Sequence, residues 1–147
     1  MSQQPLHVLL IEDDDAHAMI VKKGFQSAGA RGTIERVRDG AEGVAYVKRE
    51  GVYADRPRPQ LILLDLNLPK LDGLAVLRIL KGDDHFNTIP VVVLTTSDAD
   101  NDLQQAYSLH ANSYLVKPVN FAQFRDLIGA VISYWGEWNR APVEAGI

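Results

Sequence analysis

Five residues of this 147-residue chain have the types and the places to do chemistry together. Glu12 and Asp13 follow the apolar run Val8–Ile11, Asp65 follows Leu61–Leu64, Thr95 follows Val91–Leu94, and Lys117 follows Ser113–Val116. If these runs are parallel strands of one sheet, their side chains gather beyond a single edge. Three carboxylates in one crevice repel each other, so one takes up a proton or a cation holds them. Oxygen ligands with no His or Cys among them suit Mg2+, which keeps several waters and leaves room for a phosphate. A carboxylate nucleophile beside Mg2+ and an ammonium group is an arrangement for phosphoryl transfer.

The elements that must position these residues can be read from periodicity. Three aliphatic runs of four, Val8–Ile11, Leu61–Leu64 and Val91–Leu94, suit strands buried on both faces. Thr33–Val37 and Ser113–Val116 carry more polar residues, as edge strands do. Between them, helical spacing is predicted over 15–28 (Ala18, Val21, Phe25, Ala28), 40–50, 74–80 and 99–109, the last opened by Asp98 as N-cap. A final helix over 121–135 keeps Phe124, Leu127, Ile128, Val131, Ile132 and Trp135 on one face. Five β-α repeats predict an α/β fold with a parallel sheet. With the aliphatic runs central, the strand order is 2-1-3-4-5, the doubly wound flavodoxin-like order, whose sites lie beyond the carboxyl ends of the strands.

Composition excludes several classes. Hydrophobic residues make up 46% and charged residues 23%, which is ordinary for one globular core. No cysteine is present, so neither a disulfide scaffold nor a thiolate metal site is available. The net charge of −4, from 15 basic and 19 acidic residues, gives no broad basic footprint for nucleic acid. No apolar run approaches a membrane span, and no secretory signal is visible, so cytoplasmic placement is expected. The expected organisation is a tail over residues 1–5, one domain over 6–135, and a tail over 136–147 with no output domain.

The motifs E-D-D at Glu12, D-L-N-L-P-K-L-D-G at Asp65, V-V-V-L-T-T-S at Thr95 and A-N-S-Y-L-V-K-P at Lys117 occur in this order. On a (βα)5 pattern, the chain resembles a two-component response regulator receiver domain over about residues 6–135. The resemblance implies that Asp65 is the phosphoacceptor. It implies that Glu12, Asp13 and Asp65 hold Mg2+, with the backbone carbonyl of Asn67. Lys117 contacts the phosphoryl oxygens, Thr95 binds them through its hydroxyl, and Tyr114 turns inward as Thr95 moves. A cis Lys117–Pro118 peptide is also implied. The long loop before Asp65 and the Tyr134-Trp135 end are similar to single-domain regulators paired with bacterial phytochrome-type sensor histidine kinases. That likeness implies such a kinase as partner and a homodimer through the C-terminal helix or tail, with Tyr134, Trp135 and Trp138 as contacts. Output then runs through protein contacts, with at most slow autodephosphorylation. Two departures stand out. Glu12 replaces the commoner Asp and is expected to reach the metal through water, and Thr96 replaces a smaller residue, which narrows access to the phosphoryl group.

Other residues read as structural. Asp14 and Asp15 start a helix, Asp72-Gly73 forms a turn before one, and His17 lies on a solvated helix face. Arg31, Arg36 and Arg38 guard an exposed edge strand. A second reading uses Asp13-x-Asp15 as the opening of a haloacid-dehalogenase-like phosphohydrolase with Asp13 as nucleophile. That reading gives Asp65 no role. A nucleotide-binding module lacks its glycine-rich motif after the first strand.

Overall fold

The computed structural model describes residues 5–140. Five strands, β1 (Leu6–Ile11), β2 (Gly32–Val37), β3 (Leu61–Leu64), β4 (Val91–Thr95) and β5 (Ser113–Val116), form one sheet. All pairs are parallel, in the order β2-β1-β3-β4-β5. Each strand is followed by a helix: α1 (Asp15–Ser27), α2 (Gly40–Lys48), α3 (Gly73–Lys81), α4 (Asp100–Ser108) and α5 (Phe121–Ser133). The flavodoxin-like order expected from the apolar runs is the one observed, with the two polar runs at the edges.

Because alternate strand residues point to opposite faces, each strand feeds two cores. Leu9, Ile11, Ile62, Leu64, Val91 and Val93 pack with Tyr46 and Val47 of α2, Val76, Leu77 and Leu80 of α3, and Ala106 of α4. Val8, Leu10, Leu61, Leu63, Val92 and Leu94 pack with Ala18, Val21 and Phe25 of α1 and Phe124, Ile128 and Ile132 of α5. The helices α1 and α5 approach closely at Gly24, where a Cβ would lie 2.6 Å from the Ile128 Cβ.

Register brings the site together. Ile11 stands beside Leu64, Leu64 beside Val93, and Thr95 beside Val116. The residues that follow these positions leave the sheet at one edge. Helix α5 starts near that edge and ends at the opposite one, where a Cβ on Gly136 would lie 3.6 Å from the Leu6 side chain.

Three local expectations change. The N-cap of α4 is Ala99, not Asp98, and it makes no side-chain cap. Ser97 ties that end instead, its hydroxyl donating to Asp102 at 2.6 Å. Asp14 does cap α1, accepting from the His17 N–H, and Asp72 caps α3 in the same way through Ala75. No cis peptide occurs among the described residues, so Lys117–Pro118 is trans, the lower-energy form of an X–Pro bond. Past Ser133 the chain keeps turning as a π turn, Tyr134–Trp138, closed by the Asn139 N–H on the Tyr134 carbonyl at 2.7 Å. The part of the expected C-terminal tail beyond residue 140, and residues 1–4 at the other end, lie outside the described residues.

Candidate functional site at the carboxyl edge of the sheet

Glu12 extends β1 by one residue, its N–H donating to the Val37 carbonyl. It is 1% exposed. Asp13 follows in the open turn before α1 and is exposed. Asp65 extends β3, its N–H donating to the Ile11 carbonyl, and it is buried. Glu12, Asp13 and Asp65 each offer a carboxylate oxygen, all within 4.8 Å of one another. Thr95 is fully buried at the end of β4, with its hydroxyl oxygen accepting from the Ser97 N–H at 3.3 Å. The backbone N–H of Lys117 donates to the Thr95 carbonyl at 2.7 Å, which directs its side chain back over the edge.

The Lys117 ammonium closes the crevice. Its Nζ lies 2.6 Å from Glu12 Oε1 and 3.3 Å from Asp65 Oδ2. Burial pushes the Glu12 carboxyl up to about 7, against the hydrogen bond and charge of Lys117, while the Asp65 charge raises it further. The crevice thus holds more negative charge than one ammonium neutralises. Three hard oxygen donors with this residual charge fit a divalent cation. Asn67, two residues past Asp65, is exposed, and its N–H donates to Asp65 Oδ1 at 3.3 Å.

Tyr114, on β5 beside Val93, is half-buried and donates its hydroxyl hydrogen to the Ser97 carbonyl at 2.9 Å. It thus touches the same loop that contacts Thr95. The aromatics of the C-terminal helix lie at the other end of the sheet. Tyr134 and Trp138 are exposed, while Trp135 packs against the α1/α5 core and meets the Tyr134 ring edge-on.

Two residues were misplaced by sequence reasoning. Arg36 is no exposed edge charge: its side chain is 12% exposed, and its Nε donates to the Glu12 carbonyl at 2.8 Å. Its other end pairs with Asp15 at 2.8 Å, so it fastens the turn that carries Glu12 and Asp13. The signal was the period of two, since Ile34, two residues earlier, packs on the α1 face. His17 is not on a solvated face. Its Nδ1 lies 2.9 Å from Lys117 Nζ and its ring stands edge-on to Phe124. The signal was the helical step of four to buried Val21. Arg38 is exposed as expected and also pairs with Asp15.

The phosphohydrolase alternative loses its second acid. Asp15 is 70% exposed and held by Arg36 and Arg38 away from the crevice. Asp65, which that reading leaves idle, sits at the centre of the cluster. Among the described residues, no helix is long and apolar enough to cross a membrane.

Comparison with known proteins agrees with this geometry. Residues 8–129 match the response regulator receiver domain model. A probable methanogenesis regulatory protein, FilR2 of Methanothrix harundinacea, is 44% identical over 96% of this chain and 90% of its own length. The response regulator Rcp1 of Synechocystis is 39% identical over 92% of each chain. A crystal structure of its Mn2+-bound form has a TM-score of 0.90, covering 95% of this chain and all of that one. The phosphorylated cyanobacterial phytochrome response regulator RcpA, 37% identical, has a TM-score of 0.92 over the same shares of both chains. A buried carboxylate cluster closed by a lysine at the carboxyl edge of a 2-1-3-4-5 sheet, and a family match across most of the sequence, place this chain in the response regulator receiver domain family.

Proposed function

We propose that Asp65 accepts a phosphoryl group from the phosphohistidine of a phytochrome-like sensor histidine kinase, in the cytoplasm. An Asp65 carboxylate oxygen forms the O–P bond as the P–N bond breaks. The electron pair of that bond returns to the donor imidazole, which takes a proton from solvent. Glu12, Asp13, Asp65 and the Asn67 carbonyl would hold Mg2+, which would supply neutralisation of charge on the transferred group. Lys117 turns an N–H to the phosphoryl oxygens, and the Thr95 hydroxyl donates to them. The Asp65 side chain is only 8% exposed, in keeping with hydrolysis that is slow at most. Movement of Thr95 reaches Tyr114 through the Ser97 loop that both touch, a small shift of the kind that biases a two-state face. A homodimer through Tyr134, Trp135 and Trp138 reads out the change, with no nucleic acid involved. The kinase class rests on the likeness to Rcp1 and RcpA.

The observation that carries this reading is the buried bridge from Lys117 to both Glu12 and Asp65. The test is intact mass after incubation with acetyl phosphate and Mg2+. The wild type gains one phosphoryl mass and Asp65→Asn gains none. A phosphoryl mass on Asp65→Asn that disappears in Asp13→Asn would instead mark Asp13 as the nucleophile.

A further inference from the structure

Lys117 ends in an ammonium with three N–H donors and no acceptor. Three acceptors surround it: Glu12 Oε1 at 2.6 Å, His17 Nδ1 at 2.9 Å and Asp65 Oδ2 at 3.3 Å. The two carboxylates belong to the phosphoryl-transfer site. His17 does not, and it comes from the neighbouring helix, 100 residues away in the chain. Since the ammonium can only donate, Nδ1 accepts, and Nε2 carries the ring hydrogen.

The histidine is itself held firmly. Its backbone N–H is fixed by the Asp14 cap at 3.0 Å, and its ring stands 5.8 Å from the Phe124 ring of α5. The turn before it is fastened by Arg36 through the Glu12 carbonyl and Asp15. The Lys117 side chain is 2% exposed, so an N–H that loses its acceptor has little access to water. A flexible four-carbon stem then swings to find another partner.

We infer that His17 is a positioning residue for phosphoryl transfer, fixing the Lys117 ammonium from the α1 side. With one N–H held by His17 and one by Glu12, the third, now on Asp65, is aimed at the phosphoryl oxygens when they arrive. This rests on the reading of Asp65 as phosphoacceptor.

The test compares His17→Leu and His17→Phe, which keep packing against Phe124 without an acceptor, with His17→Asn, which keeps one. The rate of mass gain from acetyl phosphate at saturating Mg2+ is expected to fall roughly three- to tenfold in the first two, the scale of one hydrogen bond. His17→Asn recovers most of it. In a Lys117→Met background, His17→Leu has no further effect. Separately, the Nζ hydrogens of Lys117, followed by NMR in 15N-lysine protein, exchange faster with water in His17→Leu than in the wild type. Equal rates in the wild type and both apolar variants overturn the inference, as does an undiminished loss in the Lys117→Met background. A wild type that gains no phosphoryl mass overturns the proposed function instead, and unchanged Nζ exchange then overturns the contact on its own.

Discussion

Glu12 Oε1 and Lys117 Nζ lie 2.6 Å apart, both almost fully buried, at positions separated by 105 residues in the chain. Even so, burial outweighs the ammonium and pushes the Glu12 carboxyl from 4.5 up to about 7. A carboxyl raised on folding contributes stability that is fully present below its unfolded value and is lost as pH rises through its folded one. The metal-free protein is therefore expected to lose this contribution between about pH 4.5 and 7. A divalent cation needs the deprotonated form, so binding near pH 7 releases a proton and tightens as pH rises from 6 to 8. Calorimetric titration with Mg2+ in two buffers of different ionisation enthalpy reads that release. It is expected to vanish in Glu12→Gln, and a wild type that releases none contradicts the assignment.

Gly73 has no room for a side chain. A Cβ there would lie 2.3 Å from the Asp65 carbonyl oxygen and 2.6 Å from the Leu66 Cα. Gly73→Ala must push the Asp65 backbone, with an expected stability loss of about 1–3 kcal/mol and weaker Mg2+ binding. Gly24→Ala meets Ile128 between α1 and α5, away from the carboxylates. It is expected to lose similar stability with Mg2+ affinity unchanged. Urea unfolding and Mg2+ titration of both variants separate the two outcomes, and equal affinities would show that Gly73 does not brace the site.

At the other end of the sheet, the Tyr46 hydroxyl donates to Glu35 Oε1 at 2.8 Å, and its oxygen accepts from His7 Nε2 at 2.7 Å. His7 Nδ1 is left to accept from the Thr33 hydroxyl. Burial holds the His7 pKa below its ordinary 6.5, against the opposing Glu35 charge. A histidine lowered on folding contributes stability that is present above its unfolded value and is lost as pH falls below it. Melting temperature is expected to drop more steeply from pH 7.5 to 5.5 in the wild type than in His7→Gln. Identical slopes would remove His7 as the cause. Tyr46→Phe breaks both bonds, at an expected cost of about 1–3 kcal/mol.

The parts of this fold legible in the sequence are those decided by local pattern. Leu61–Leu64 suits a strand covered on both faces, and the acid that follows it then leaves at the sheet's edge. The same strand-end positions gather Glu12, Asp13, Thr95 and Lys117 around Asp65, and the family resemblance implies their roles. The parts that were not legible depend on distant packing. His17 looks polar and helical in its own window, and only α5 docking beside α1 turns it toward Lys117. Arg36 sits among charges on an edge strand, yet the Glu12 carbonyl it binds is reached across the end of a neighbouring strand. The end of α4 was misplaced because Ser97 and Asp102 reach across the turn where Asp98 was expected to cap.

The last relationship is between the two ends of α5. It begins four residues after Lys117 and ends at Ser133, where it runs into the π turn that carries Tyr134 and Trp138, 53% and 76% exposed. Aromatic rings with such exposure suit the centre of an interface. In the proposed homodimer, a change at Lys117 that shifted the start of α5 would be carried along the packed helix to those rings. Beryllofluoride with Mg2+, standing in for the phosphoryl group, is expected to change the dimer dissociation constant by about 5- to 150-fold, the usual range of such coupling. Light scattering over a concentration series reads this directly. Trp138→Ala with Tyr134→Ala is expected to weaken the dimer while Asp65 still gains its phosphoryl mass. The same mass at every concentration, with and without beryllofluoride, would mean that these rings serve a contact other than self-association.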